Sequence, residues 1–231
     1  MQVISLANLS LILIPAALVV VILWRWTNNA KTPSYALARM VGQLCLIGFF
    51  LTFIFETKQL WLVISVLTIM LLASSWIALR SVAVQRKQLY FKALVATTAV
   101  NGSLLLLITQ AVLNTDSWFE PRIVIPIAGM IFAVGMNAIS LFVERFYSEL
   151  MQNSASQTKA RNTAYNATLI PTINSLFAVG LVSLPGMMTG QILSGVSPLI
   201  AVRYQIMIML MLFASSGLTS ALFYQLIKKK A

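Results

Sequence analysis

At 231 residues, 59% hydrophobic and only 9% charged, this chain lies far from a soluble domain, in which about 25% of residues are charged. Its formal net charge of +11 would suit nucleic acid, but the basic residues stand at the ends of apolar runs, which is the pattern of membrane topology. One cysteine, Cys45, and no histidine exclude a disulfide framework, His-ligated zinc and histidine acid–base chemistry.

A membrane-spanning helix needs about 20 mostly apolar residues. Seven runs meet that measure, roughly 5–26, 37–55, 60–79, 92–114, 122–143, 169–193 and 199–227. The first has no basic residue before it and ends in Trp24, Arg25 and Trp26. A secretory signal has a positive start and a small-residue cleavage site, so this run reads as an uncleaved anchor with its N-terminus outside. The connections then alternate. Arg25, Lys31, Arg39, Arg80, Arg86, Lys87, Lys92, Arg145, Lys159, Arg161 and Lys228 to Lys230 fall inside; Lys58, Arg122 and Arg203 fall outside. That asymmetry fits the preference of basic loops for the inner face. The longest inner connection is expected over 144–168. The expected fold is an all-α, polytopic bundle of about seven spans, a single domain over 1–231, with N-terminus outside and C-terminus inside.

The spans carry few polar groups. Asn101 and Ser103 interrupt the fourth, Asn137 the fifth within GMNAIS, and Asn174 the start of the sixth within PTINS. Polar residues in spans usually face the bundle interior or a cavity, and each of these could equally serve one helix–helix hydrogen bond. The sixth span contains GLVSLPGMMTGQIL at 180–193. Pro185 removes a backbone donor and Gly186 weakens the next turn. Broken helix at membrane depth survives where it packs in protein or lines a cavity, although a kinked structural helix would carry the same residues. The methionines of the last three spans, Met136, Met187 and Met188 among them, are soft thioethers but also ordinary fillers of apolar gaps.

Soluble catalytic motifs are missing. The sequence holds no GxxxxGK[ST], HExxH, CxxC or GxSxG, so ATP hydrolysis by a P-loop is not expected on this chain. No cofactor is expected, and the chain is not expected to be an enzyme. A secondary transporter would want a buried acidic residue for ion coupling, and the chain shows no internal repeat.

The stretches PIAGMIFAVGMNAISLFVERF (126–146), LIPTINSLFAVGLVSLPGMMTGQILSG (169–195) and SPLIAVRYQIMIMLM (197–211) resemble the FetB family, the permease subunits of iron-export ABC transporters with plant relatives linked to aluminium tolerance. ARMVGQLCLIG (38–48) fits as well. The resemblance runs from about 35 to 215. It implies a partner P-loop ATPase on a separate chain, a pair of permease chains and an inner (plasma) membrane location, with no nucleic acid involved. On this reading the transport pathway runs beside the broken sixth helix, past Met136, Asn137, Asn174, Pro185, Gly186, Met187, Met188, Thr189 and Gln191. The inner-face residues Glu144, Arg145, Lys159 and Arg161 are expected to couple to the ATPase. The cargo is iron or a related metal or metal-linked solute; the alternative is a degenerate permease or membrane scaffold. Two departures stand out. Val134 and Gly135 replace the family's Gly-Asn pair before Met136 and Asn137. The stretch from 151 to 170 is shorter than in the family and lacks its Ala-Leu-Gly-Ala-type helix.

Overall fold

The computed structural model describes residues 5–56, 59–114, 119–152 and 156–228, leaving out the side chains of residues 6, 51–53, 55, 56, 83 and 152. Two compact units divide the chain, residues 1–57 and 58–231. The first holds α1 (Leu6–Ser10), α2 (Leu13–Thr27) and α3 (Lys31–Glu56). Ser5 caps α1 by accepting from the Asn8 N–H at 3.2 Å. Asn28 ends α2 with φ 52°, a left-handed conformation that asparagine tolerates better than other side-chain-bearing residues. No residue of α2 is buried, so its Leu, Val and Ile side chains form an apolar surface all round, as a lipid-embedded helix requires.

The second unit holds α4 (Leu60–Ala78), a tight turn over Arg80–Gln85, α5 (Arg86–Leu106) with a wider final turn over Leu107–Val112, α6 (Pro121–Gln152), α7 (Gln157–Ala178), α8 (Gly186–Leu193) and α9 (Pro198–Ile227). Pro121 and Pro198 open their helices where a missing N–H costs nothing. The Ser156 hydroxyl accepts from the Lys159 N–H at 3.3 Å and starts α7.

Five described stretches are long and apolar enough to cross a membrane: Ala7–Thr27, Leu60–Ala78, Arg86–Val112, Pro121–Met151 and Pro198–Ile227. The expected span 37–55 lies inside α3. Three expectations are corrected. The break expected in 169–193 does not fall at Pro185 and Gly186: α7 already ends at Ala178, and α8 begins at Gly186. The helix that carries the fifth span does not stop with its apolar run near residue 143, because α6 continues to Gln152. At 1.5 Å per residue its 32 residues reach about 48 Å, well past the roughly 30 Å of hydrocarbon. Finally, 144–168 is not a loop but the end of α6 and the start of α7, with only residues 153–156 between them.

Helix α6 is the hub and packs against α4, α5, α7 and α9. The main core gathers Ala78 and Leu79 after α4, Leu89 and Ala93 near the start of α5, Phe142 and Phe146 late in α6, Ala160 and Ala164 early in α7, and Phe223 and Tyr224 late in α9. The helices of this unit therefore alternate in direction, and these ends meet on one side. The small residues Ala160 and Ala164 are fully buried, which lets α7 approach the stacked rings of Phe142 and Phe146, 5.6 Å apart.

At that same end Arg86 clasps α4 to α5. Its guanidinium donates to the Trp76 carbonyl at 2.6 and 3.0 Å and lies 3.8 Å from the centre of the Trp76 ring. The carbonyl is one of the four that a helix C-terminus leaves unpaired. Arg86→Ala is expected to cost about 1–2 kcal/mol, read as a lower melting temperature of the purified protein in detergent. Arg86→Lys should recover little of it, since an ammonium cannot reproduce the planar fork.

A polar junction sits midway along the bundle. Asn101 of α5 is fully buried. Its Oδ1 accepts from the Ser215 hydroxyl at 2.8 Å and the Thr219 hydroxyl at 3.2 Å, both on α9. Its Nδ2 has no hydrogen-bond partner and lies against Gly135 of α6, where a Cβ would come within 2.5 Å of it. The polar residue at 101 thus serves helix packing.

Candidate functional site

The sequence breaks the bundle at a place set by backbone geometry. Helix α7 stops at Val179, and Gly180 takes φ 83°, which costs glycine little and other residues more. The Ala178 carbonyl then accepts from the N–H groups of Leu181, Val182 and Ser183 at 3.2, 2.8 and 3.1 Å, and the Gly180 N–H donates to the Ser183 carbonyl at 3.0 Å. The turn therefore closes its own hydrogen bonds, as irregular backbone at membrane depth must. Pro185 stands just before α8 in an extended conformation. Its carbonyl accepts from both the Thr189 N–H at 3.0 Å and the Thr189 hydroxyl at 3.1 Å. Pro185 and Gly186 start the short helix; they do not end the long one.

Beside this turn lies an open-sided cavity of about 740 Å³ between α6, α7, the 179–185 turn and α9. Two helical stripes build it. Val134, Asn137, Ala138 and Leu141 line one wall from α6, at the three- and four-residue spacings of one helix face. Thr168, Pro171, Thr172, Ser175 and Ala178 line the other from α7 at the same spacings. Met209, Leu212 and Ser216 of α9 close the back. Asn137 and Asn174 both line the cavity, and both are exposed.

Of the residues expected along the pathway, Asn137, Asn174 and Pro185 meet at this cavity. Met188 lines a second, apolar cavity of about 330 Å³ with Gln205 and Leu184. Val179 and Met209 border both cavities, so a flexible thioether and a valine separate the polar space from the apolar one. Met136 packs against the main core. Gly186, Met187, Thr189 and Gln191 line neither cavity. The hydroxyls of Thr168, Thr172 and Ser175 were missed in the sequence; their 4- and 3-residue spacing on α7 was the available signal.

The expected coupling residues occupy helices. Glu144 and Lys159 are exposed. Arg145 pairs with the buried Glu149 one turn on, at 2.8 Å. Arg161 donates to Asn162 Oδ1 at 2.8 and 3.0 Å and lies 5.7 Å from the Tyr224 ring centre. Among the described residues there is no cluster of His, Cys, Asp and Glu able to hold a metal ion.

A family model described as "Uncharacterised protein family (UPF0014)" matches residues 4–231. The UPF0014 membrane protein slr1647 of Synechocystis is 34% identical, over 88% of this chain and 84% of that protein. "Probable iron export permease protein FetB" of Escherichia coli is 31% identical, over 82% of this chain and 77% of its own length. "Protein ALUMINUM SENSITIVE 3" of Arabidopsis thaliana is 31% identical, over 89% and 81%. No solved structure matches.

Proposed function

The chain belongs to the UPF0014 family of multi-pass membrane proteins, which includes the FetB permease, and on that premise we propose that it is the permease subunit of an ABC exporter. Two copies would pair with two copies of a P-loop ATPase carried on a separate chain, and this chain would itself catalyse nothing. ATP binding would draw the ATPases together and bias the permease between inward- and outward-open states. The cargo is iron or a related metal or metal-linked solute, by analogy with the probable iron export permease FetB of E. coli.

One observation carries the reading: the exposed amides of Asn137 and Asn174 and the hydroxyls of α7 share one cavity halfway along the bundle. Polar groups at that depth do not face lipid. A second copy of the chain, covering the open side, would turn the cavity into a pathway. The orientation follows from charge. The helix ends that meet in the main core carry Arg80, Arg86, Lys87, Lys92, Arg145, Lys159, Arg161 and Lys228, whereas Arg122 and Arg203 stand at the other ends. Basic residues collect on the cytoplasmic side, which supports a C-terminus inside an inner (plasma) membrane; with the first apolar run as an uncleaved anchor, the N-terminus would lie outside.

Two experiments test this. In a Cys45→Ser background, a cysteine at Ser156 should be shielded from an impermeant thiol reagent in intact cells, and one at Ser197 should be labelled; the reverse pattern overturns the orientation. For coupling, the exposed pair Glu144 and Lys159 is the informative target. The double variant Glu144→Lys/Lys159→Glu should stay folded yet lose most of its co-purification with the ATPase, since reversed charges at an interface oppose docking. Unchanged co-purification would move the contact to the 80–92 side. Failure of the unaltered chain to bind any ATPase would favour a degenerate permease or scaffold.

A further inference from the structure

The chemistry of the cavity narrows the cargo. We infer that the solute crossing beside Asn137 and Asn174 is an electroneutral, hydrogen-bonding molecule, and that any metal it carries travels already wrapped in organic ligands. The inference rests on the permease reading and specifies its substrate class.

The cavity wall is made of amides, hydroxyls, apolar side chains and one thioether, that of Met209. An amide offers an NH₂ donor pair as well as a carbonyl acceptor, and a hydroxyl offers both functions. Such a wall matches a solute that both donates and accepts. A bare multivalent cation needs negative charge as well as oxygen ligands. Hard cations are held by carboxylate and carbonyl oxygens, and iron sites add imidazole. A charge moved out of water without an opposite charge is very costly. Of the chain's acidic residues, Glu120, Glu144 and Glu149 are described with their side chains, and none of these three lines the cavity. The buried one, Glu149, is engaged by Arg145.

Size points the same way. About 740 Å³ falls in the range of small-molecule pockets, roughly 300–1,000 Å³, and greatly exceeds a nest for one dehydrated ion. Among the described residues no hydrogen bond engages the Asn137 or Asn174 side chain, while Ser175, at the same wall, closes on the Pro171 carbonyl at 2.9 Å. The two asparagines are therefore the wall's available donor–acceptor groups.

The test uses proteoliposomes holding the full chain with its partner ATPase. Two probes are offered at equal concentration: ferrous ion kept reduced by ascorbate, and the neutral iron(III) complex of three 3-hydroxypyridin-4-one ligands. ATP-dependent movement of the neutral complex is expected to exceed that of the free ion by about tenfold or more, a difference of roughly 1.4 kcal/mol. Asn137→Leu/Asn174→Leu should lower movement of the complex by a similar factor without changing ATPase co-purification. Asn137→Asp, which adds a charge to the wall, should shift preference toward the free ion. Equal or faster movement of free ferrous ion by the unaltered chain overturns the inference, and so does movement of neither probe while ATP hydrolysis proceeds. Loss of ATPase binding or hydrolysis in the unaltered assembly instead overturns the permease reading itself.

Discussion

Gly180→Val is expected to reduce transport about tenfold or more while the protein still reaches the membrane in normal amount. Gly180 has φ 83°, and a β-branched residue held in that left-handed region pays at least about 1–2 kcal/mol, where roughly 1.4 kcal/mol is tenfold in population. The turn that it closes also carries three N–H groups converging on the Ala178 carbonyl. Forcing Gly180 out of that conformation frees these groups and displaces Ser183 and Pro185, both on the cavity wall. The double variant Pro185→Ala/Gly186→Ala should behave differently. A Cβ at Gly186 meets nothing within 4 Å, and Pro185 lies beyond the end of α7. Transport should stay within about twofold of the unaltered protein, because neither change touches the bonds that end α7. Transport assays on both variants, with membrane content measured in parallel, decide the matter. Loss in the second variant with retention in the first would place the essential break at Pro185.

Gly135→Ala is expected to destabilise the bundle by about 1–3 kcal/mol. The new methyl would come within 2.5 Å of Asn101 Nδ2. Asn101 must then move, and moving it breaks the bonds from Ser215 and Thr219 to its Oδ1. Ser215 keeps the Ile131 carbonyl at 3.2 Å, but the buried Thr219 hydroxyl loses its acceptor, which adds to the cost. Asn101→Ala should also destabilise, through an emptied space and the same loss at Thr219. The double variant Gly135→Ala/Asn101→Ala should lose less than the two single changes together, because the methyl at 135 then fills space that the amide vacated. Thermal unfolding of the four proteins in one detergent gives the cycle. Additive losses would show that the two residues do not share the space between α5 and α6.

The departure at Val134–Gly135 acquires a physical meaning here. Glycine at 135 is what admits the Asn101 amide, so α6 carries no side chain there while α5 supplies a polar one. Nothing in the order of residues links positions 101 and 135; only the packing of α5 against α6 brings them together. Met136 shows the same limit. Beside Asn137 in the chain, it points to the main core while Asn137 faces the cavity, because successive residues on a helix lie about 100° apart.

By itself, the sequence determined the class of the protein. Long apolar runs can satisfy their backbone only as helices in a membrane, and basic residues at their ends orient them. It also marked Asn137 and Asn174, since polar groups stand out against hydrocarbon, and it marked the region of 180–193 through its glycines and proline. The tertiary structure decided where the helix stops and which polar groups meet. Pro185 is the louder signal, yet Gly180 makes the break, because the turn depends on a left-handed conformation at one glycine, and the sequence does not say which of Gly180, Gly186, Gly190 and Gly195 adopts it. Likewise Asn101 and Asn137 read alike in the chain, each a lone amide in a span. One is buried against hydroxyls of α9 and holds helices together; the other stands free on a cavity wall. Contacts between residues more than a hundred positions apart separate them, and those contacts exist only after α5, α6, α7 and α9 have packed.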